Sequence, residues 1–438
     1  MHLQPAQTGL TRLAFDLGAA THQRGELAAL AGDGPLRERV IASVLASRGE
    51  LADEPGASST RVAVQRLGDG NGCGALIARG EVLVVSPGHD PAVPLLRRLG
   101  YDILSSAGPV QRLRRPDAEA AEVASVCQAL RALGVAAGPN HVTAAGPVGK
   151  GVLGIAAAKP THVDLGGRPV GDGRGGGVRV AVIDTGIDRG AVEAPNGWLE
   201  GIDVDDGPGG NRDLLDSVPA PDGFLDDAAG HGTFVAGVVR QMAPACEVTA
   251  VKALDSDGIG TEFAVAEALF GLAEREAPPQ VVNLSLACLA AETLAPVAMR
   301  AALEALLERH PDTAIVAAAG NDGSTVPTWP AAHKAVLSVG ALEGQRPARY
   351  SNHGYWVDFS VPADGVVSTY VHGTRVSETG ERVEHTGAYA AWSGTSFAAP
   401  QVAGRIAALM GEGASTSQAI AMLRRQSQPA GEAGRILT

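Results

Sequence analysis

A carboxylate, an imidazole and a hydroxyl occur along this chain in the order Asp184, His231 and Ser396. A serine hydroxyl is a weak nucleophile until a base takes its proton, and a buried carboxylate can hold that imidazole in the required tautomer. The set could therefore perform acyl transfer at a carbonyl group. Each residue alone also has a plainer interpretation, as a loop carboxylate or metal ligand, a packed helix histidine, and a helix-cap serine.

The serine lies at the expected start of a helix. The segment Gly394 to Pro400 opens an apolar run that continues to Met410, and Pro400 is compatible with a first helical turn. Backbone N–H groups at a helix start have no intrahelical partner and favour negative charge. This position therefore suits a nucleophile that generates an oxyanion.

The other two residues also occur beside buried elements. The β-branched run 178–183 predicts a strand that ends in Asp184. The apolar run 234–239 is too continuous for a surface helix and predicts a buried one, with His231 in its first turn. Both side chains are thus expected at the ends of core elements.

These segments resemble the three signature segments of the subtilisin-like serine proteases (subtilases): Asp-Thr-Gly at 184–186, His-Gly-Thr at 231–233 and Gly-Thr-Ser-Phe-Ala-Ala-Pro at 394–400. The resemblance covers roughly residues 175–425. It implies an α/β fold, a parallel sheet with helices on both faces. It also implies a serine endopeptidase without an organic cofactor, in which Ser396 is the nucleophile, His231 the general base and then acid, and Asp184 the residue that orients the histidine.

The same resemblance implies an oxyanion donor and substrate-binding strands. The run 314–320 predicts a small-residue strand that delivers Asn321, otherwise a common turn residue, as the donor beside the Ser396 N–H. Two segments resemble the strands that bind the substrate, and their plainer interpretation is a core strand and a glycine turn. The residues concerned are Gly258, Ile259 and Gly260 at the edge, Ser285, Leu286 and Ala287 at the rim of the first pocket, and Ala319 and Gly320 at its floor. Ala287, Cys288 and Leu289 depart from the small residues usual in the family, which puts a broad pocket entrance in doubt.

Two other functions stay open at this point. A catalytically silent protein could keep this fold as a peptide-recognition groove, although a binding role does not require the full catalytic set. An esterase is a third possibility, since the same architecture hosts other nucleophiles.

Composition limits the partners. The 438-residue chain has a formal net charge of −13 and 45% hydrophobic residues, which argues against nucleic acid or an anionic membrane surface. The four cysteines, Cys73, Cys127, Cys246 and Cys288, are too far apart to suggest a zinc site or a disulfide framework. The sequence contains neither a transmembrane run nor an N-terminal signal pattern, so we expect a cytoplasmic protein.

The length suggests two or three domains. Residues 1–56 predict a helical N-terminal extension, and residues 143–177 a glycine-rich linker into the peptidase domain at 178–438. Residues 61–142 alternate short strands and helices, with Asp117 as a helix cap and His141-Val142 as a final edge strand. This pattern resembles the subtilase propeptide, which implies that the chain inhibits itself with this region and cuts itself between about 142 and 150. An unrelated accessory domain is the alternative.

Two insertions have separate interpretations. The acidic loop 202–227 could hold structural calcium, but a charged run is usually a solvated surface; its aspartates are Asp203, Asp205, Asp206, Asp213, Asp216, Asp222, Asp226 and Asp227. Residues Val371 to Gly387 predict a surface hairpin near the cleft.

Overall fold

The fold is described by a computed structural model. It describes Leu45 and Arg48 and the ranges 62–68, 75–86, 92–145, 161–163, 173–194, 197–207, 210–218, 220–290, 294–376 and 382–437. Most of the predicted extension 1–56 and of the linker 143–177, as well as Cys73, lies outside these residues.

The N-terminal part forms a small α+β unit. Its elements are β1 (Val64–Leu67), β2 (Ala75–Val85), α1 (Ala92–Arg98), β3 (Asp102–Ala107), β4 (Val110–Arg114), α2 (Ala120–Ala132) and β5 (Ala136–Ala145). The strands pair antiparallel in the order β5-β2-β4-β3, with β1 beside β2. One face of this sheet packs on α1 and α2 through residues such as Leu96 and Cys127.

The larger part is built on a parallel sheet. Its strands are β7 (Arg179–Asp184), β8 (Glu247–Lys252), β10 (Val281–Leu284), β12 (Ala314–Ala318), β13 (Leu337–Glu343), β15 (Phe359–Pro362) and β21 (Arg435–Ile436). They lie side by side in the order β8-β7-β10-β12-β13-β15-β21, and each adjacent pair is parallel. Shorter strands lie at the edges or in loops: β6 (Thr161–Val163), β9 (Ile259–Thr261), β11 (Leu286–Ala287), β14 (Arg346–Pro347), β16 (Val366–Thr369), β17 (Gly373–Val376), β18 (Arg382–His385), β19 (Tyr389–Trp392) and β20 (Gln428–Pro429).

Helices cover both faces of the parallel sheet. They are α3 (Arg189–Glu193), α4 (His231–Met242), α5 (Glu262–Ala273), α6 (Val297–Arg309), α7 (Thr395–Gly411) and α8 (Thr416–Gln426). Side chains alternate along a strand, so Val180 and Val182 of β7 join the core that contains α4 and α7. Ala181 and Ile183 join the core that contains α5 and α6. This arrangement confirms the expected fold class, a parallel sheet with helices on both faces.

The N-terminal elements differ in detail from the sequence-based expectations. The second helix of that unit begins after Glu119, so Asp117 does not cap it. His141 and Val142 belong to the ten-residue β5, which pairs with β2, β9 and β11 and is therefore no edge strand. Residues 143–145, expected in the linker, continue this strand. They are extended because β9 and β11 pair with them.

The insertion at 371–387 contains the expected hairpin, since β17 and β18 pair antiparallel. Arg375 on β17 donates to the backbone carbonyl groups of Asp226 and Asp227, which fixes the hairpin on the acidic loop. Among the described residues, no helix is long and apolar enough to cross a membrane.

Candidate active site

Asp184 and His231 form a buried hydrogen-bonded pair. Asp184 ends β7 and His231 begins α4, and Asp184 Oδ1 lies 2.6 Å from His231 Nδ1. The backbone N–H of Thr185 donates to the same oxygen at 2.8 Å. Both side chains are at most 1% exposed. Because Nδ1–H donates to the carboxylate, Nε2 is the nitrogen that can accept a proton.

A close approach between two backbone segments explains the glycine that follows the histidine. A Cβ on Gly232 would lie 2.3 Å from the carbonyl oxygen of Gly186, so only glycine lets α4 begin this near the end of β7. The N–H of Gly232 donates to Thr185 Oγ1 at 3.0 Å. The two signature segments are thereby joined by this hydrogen bond from a backbone N–H to a side chain as well as by the Asp184–His231 pair.

Ser396 is the second residue of α7 and is fully buried. Gly394 before it has φ 151°, a conformation that L side chains rarely adopt. Pro400, expected in the first turn, is the sixth helical residue, which corrects that interpretation. Proline has no N–H to donate to the carbonyl four residues earlier, and that carbonyl belongs to Ser396. It instead accepts a hydrogen bond of 2.7 Å from Ser285 Oγ.

The Ser396 hydroxyl points to the neighbouring strand. Its Oγ donates to the carbonyl oxygen of Ser285 at 3.2 Å, while His231 Nε2 has no hydrogen-bond partner among the described residues. The histidine ring packs against Phe397 and Trp392, with ring centroids 5.4 and 5.7 Å away. Rotation about the Cα–Cβ bond of Ser396 would turn the hydroxyl away from Ser285. Hydrogen bonds between a nucleophile and its base often become short only when substrate binds.

Asn321 lies beside Ser396, and hydrogen bonds to its side-chain oxygen hold it in place. Asn321 Oδ1 accepts from the Thr395 N–H at 3.0 Å and from Thr395 Oγ1 at 2.9 Å, and Thr395 Oγ1 accepts from the Gly320 N–H at 3.1 Å. An N–H donor requires an acceptor, so these bonds assign the amide oxygen. The NH₂ of Asn321 is then the group that can donate to an oxyanion, together with the Ser396 N–H.

The segments expected to bind substrate are occupied by the chain's own β5. Val142 to Ala144 pair antiparallel with β9, and Ala144 and Ala145 pair antiparallel with β11. Ala145 also donates its N–H to the Gly258 carbonyl at 2.8 Å. The structure therefore brings Gly258, Ile259, Gly260, Leu286 and Ala287 together around one extended peptide. Of the other predicted pocket residues, Ser285 and Gly320 contact the helix start as described above.

Ala319 and the departures at 287–289 complete this region. Ala319 is buried beside Asn321 and accepts from Thr328 Oγ1 at 2.7 Å. Cys288 pairs with Trp329 through two backbone hydrogen bonds of 2.8 and 2.9 Å. Leu289 packs in the apolar cluster that contains Ala144 and Ile259. The larger residues thus line the groove on one side of the extended peptide.

Sequence reasoning missed a buried layer behind the Asp184–His231 pair. Asp213 accepts from Thr185 Oγ1 and from the Gly230 N–H, both at 2.9 Å. Burial raises the pKa of Asp213, against the lowering effect of the nearby Lys252 charge. Lys252 donates to the Thr185 carbonyl at 2.8 Å. Asp213 has one apolar neighbour in the sequence, Leu214, which does not distinguish it from the other aspartates of the acidic loop. The sequence therefore did not indicate that Asp213 would be buried.

The carboxylates of this loop mostly bind backbone N–H groups of the loop itself. Asp216 accepts from Asp222 and Gly223, and Asp226 accepts from Ser217 and Val218. Throughout the ranges that the structure describes, no group of three or more His, Cys, Asp or Glu residues could hold a metal ion.

Comparison with known proteins agrees with this geometry. The sequence model of the subtilase family (Peptidase_S8) matches residues 175–427, more than half of the chain. The chain belongs to the subtilase family. This subtilase is 35% identical over 238 residues to a thermophilic serine proteinase of Bacillus sp. (strain AK1), a match that covers 54% of this chain and 53% of that protein. It is 30% identical over 254 residues to thermitase of Thermoactinomyces vulgaris, covering 56% and 78%.

One solved structure resembles this subtilase over most of its length. Fervidolysin from Fervidobacterium pennivorans, described as a keratinolytic enzyme related to subtilisin, superposes with a TM-score of 0.57 at 19% identity. The match covers 83% of this chain and 60% of that one, so it supports the fold. The chain spans about half the length of the Bacillus sp. relative.

Proposed function

We propose that this subtilase is a serine endopeptidase that hydrolyses peptide bonds through an acyl-enzyme. The observation that carries the proposal is the extended segment 142–145, hydrogen bonded between β9 and β11 beside Ser396. A cleft that binds a peptide by strand addition, next to a serine, a histidine and an aspartate, has the parts that peptide hydrolysis requires. Family membership supports the same activity and gives no support to a silent binding module.

The proposed reaction uses only protein groups. His231 Nε2 takes the proton of the Ser396 hydroxyl as Oγ attacks the scissile carbonyl carbon, and Asp184 stabilises the resulting imidazolium. The tetrahedral intermediate then expels the amine, which takes its proton from Nε2, and the C–N bond is replaced by an ester. Water attacks this ester with His231 again as base, which restores the serine and releases the acid.

The developing oxyanion would accept hydrogen bonds from the Asn321 amide and the Ser396 N–H. The Thr395 contacts already fix the asparagine, so little reorganisation is needed during the reaction. Donors held in place in this way account for a large part of catalysis in such sites.

We further propose that the N-terminal unit is an inhibitory propeptide. Its contacts with α5 and α6 are buried and specific. His141 Nδ1 lies 2.7 Å from Glu262 Oε2, and Glu262 Oε1 accepts from the Ala298 N–H at 2.6 Å, at the start of α6. Asn140 Oδ1 accepts from the Phe263 N–H at 3.0 Å. These contacts support a unit that holds β5 in the substrate position and blocks other peptides.

Self-cleavage would release this block. Ala145 pairs with Leu286, one residue beyond Ser285, whose carbonyl contacts the Ser396 hydroxyl. The bond that reaches the serine should therefore lie within a residue or two of Ala145, inside the expected interval of about 142–150. The intact mass of the product will locate the cut.

Intact mass and turnover test both parts of this function. Wild-type protein should hydrolyse an unstructured protein substrate and lose its N-terminal part, whereas the Ser396→Ala chain should do neither. Ser393→Ala is the matched control, because it removes a serine hydroxyl on the N-terminal side of Gly394. Comparing a peptide with an ester of the same acyl group separates an endopeptidase from an esterase. A wild-type chain that is fully active but uncut would identify residues 62–145 as an accessory domain.

Calcium binding by the acidic loop stays a prediction. We propose that any such ion is structural, since the catalytic steps above use none. Adding a chelator should then lower the melting temperature without changing the initial rate of hydrolysis at a temperature where the protein stays folded.

A further inference from the structure

The loop before β9 carries two carboxylates that are occupied by a distant arginine. Arg48 Nη1 lies 2.8 Å from Asp255 Oδ2, and Arg48 Nη2 lies 3.1 Å from Asp257 Oδ2. The guanidinium is 1% exposed, and the two carboxylates are 7% and 8% exposed. A planar guanidinium that bridges two buried carboxylates is a geometrically specific arrangement, and removing one partner leaves an uncompensated buried charge.

These carboxylates lie at the edge of the peptide-binding cleft. Asp255 Oδ1 accepts from the N–H groups of Asp257 and Ile259, at 3.1 and 3.0 Å, and so shapes the turn that presents Gly258. Gly258 is the residue whose carbonyl binds the Ala145 N–H. Asp255 therefore has one oxygen for the turn and one for the arginine, while Asp257 Oδ2 accepts from Arg48 Nη2.

A second described residue close to the arginine in the sequence lies against the same groove. Leu45, three residues before Arg48, packs against the apolar cluster of Ala144, Ile259 and Leu289. The family model begins to match only at residue 175, so this contact comes from the part of the chain that precedes the peptidase domain. Ala144 in that cluster belongs to the inhibitory strand.

Removal of the N-terminal part would leave Asp255 and Asp257 without their cation. Two adjacent desolvated carboxylates are costly unless a positive charge or water replaces it. A substrate side chain on the N-terminal side of the scissile bond can supply that charge, because residues 142–145 lie in this half of the cleft. An arginine or lysine has both the length and the charge for the position.

We infer that Asp255 and Asp257 form a subsite for a basic side chain of the substrate, which Arg48 occupies in the intact chain. This inference rests on the proposed peptidase function. It assigns to the peptidase a preference for substrates with a basic side chain, which the apolar residues of the cleft would not produce. The basic residue is expected at the position of Ala144, because Ala144 belongs to the cluster against which Leu45 packs.

Stability tests the subsite without catalysis. The full-length Ser396→Ala/Arg48→Gln protein keeps its own β5 in the cleft, so the basic side chain is introduced there as Ala144→Arg, with Ala144→Gln as the neutral control. Ala144→Arg should restore the denaturant unfolding midpoint that Arg48→Gln lowers, whereas Ala144→Gln should not. Asp257→Asn should abolish this difference, and Asp312→Asn, an exposed aspartate at the opposite ends of the strands, should keep it.

Equal unfolding midpoints of the Ala144→Arg and Ala144→Gln proteins, or a difference that survives Asp257→Asn, would overturn the inference. Hydrolysis of an unstructured protein substrate by the Arg48→Gln protein with Ser396 intact is measured separately. Failure of that hydrolysis contradicts the proposed peptidase function, while the unfolding result still decides the subsite.

Discussion

At the scale of single residues, the hydrogen bonds that each site residue already makes determine which of its atoms can take part in chemistry. Asn321 is the clearest example, because its oxygen is held by Thr395 and its NH₂ is thereby directed elsewhere. The sequence identified the residue through its Ala-Gly-Asn segment. It could not show the Thr395 contacts, which join residues 74 positions apart.

Replacing Asn321 should therefore affect the rate much more than substrate binding. Asn321→Ala removes one oxyanion donor and should lower kcat about 10²- to 10³-fold, the range measured for the oxyanion asparagine of a subtilisin. Steady-state kinetics on a peptide substrate provide the measurement. A KM that rises tenfold while kcat stays unchanged would instead indicate a role in ground-state binding.

Pro400 explains a second residue-scale feature, the hydrogen bond from Ser285 to the Ser396 carbonyl. Ser285→Ala should leave that buried carbonyl without its donor and lower the free energy of unfolding by about 1–3 kcal/mol. Adding Pro400→Ala supplies a helical N–H to the same carbonyl and should recover part of the loss. Denaturant unfolding of the four variants in the Ser396→Ala background checks this, and strictly additive effects would argue against the shared carbonyl.

Asp226 gives a pH-dependent prediction. Burial raises its pKa from 3.8 to about 6, so the folded state binds a proton that the unfolded state has lost between about pH 4 and pH 6. The contribution of Asp226 to stability is therefore present below pH 4 and is lost as the pH rises through 6. Asp226→Asn cannot ionise, so its stability relative to wild type should increase from pH 4 to pH 7.

Unfolding measured across this pH range, again with Ser396→Ala, gives the comparison. The exposed Asp222→Asn is the control, and its difference from wild type should not follow the same curve. A flat difference for Asp226→Asn would show that its pKa is not raised in the folded protein.

At the scale of elements, the peptidase core was easier to predict from the sequence than the part of the chain that covers it. The β-branched run before Asp184 and the apolar run after His231 predicted β7 and α4, because both elements are almost entirely buried and their patterns are strong. The length of β5 was underestimated. Its last residues are small and carry no strand pattern of their own, and they are extended because β9 and β11 pair with them.

Strand pairing by β5 can be weakened with a single backbone change. Ala145→Pro removes the N–H that donates to the Gly258 carbonyl, so the block on the cleft should be weaker. When only uncut chains are compared, we expect faster modification of Ser396 by a fluorophosphonate than in wild type. Ala145→Gly keeps the N–H and serves as the control, and equal rates in the two variants would show that this hydrogen bond does not hold the strand in place.

At the scale of the whole molecule, the N-terminal unit and the peptidase sheet share one cleft. The seven-stranded sheet combines strands of the N-terminal unit with β9 and β11, which explains why a segment of the chain itself lies between these two strands. Cooperation between separate parts of the chain is not visible in any local pattern. The location in the cell also stays a prediction, which fractionation of the native source would test.

The central claim is that Ser396 is an activated nucleophile, and covalent modification tests it most directly. A fluorophosphonate should add one phosphonyl group to the folded protein, and peptide mapping should locate it on Ser396. His231→Ala should lower the labelling rate by orders of magnitude, since the base is lost. Absence of labelling in folded protein from which the N-terminal part has been cleaved or displaced, or a label on another residue, would contradict the account.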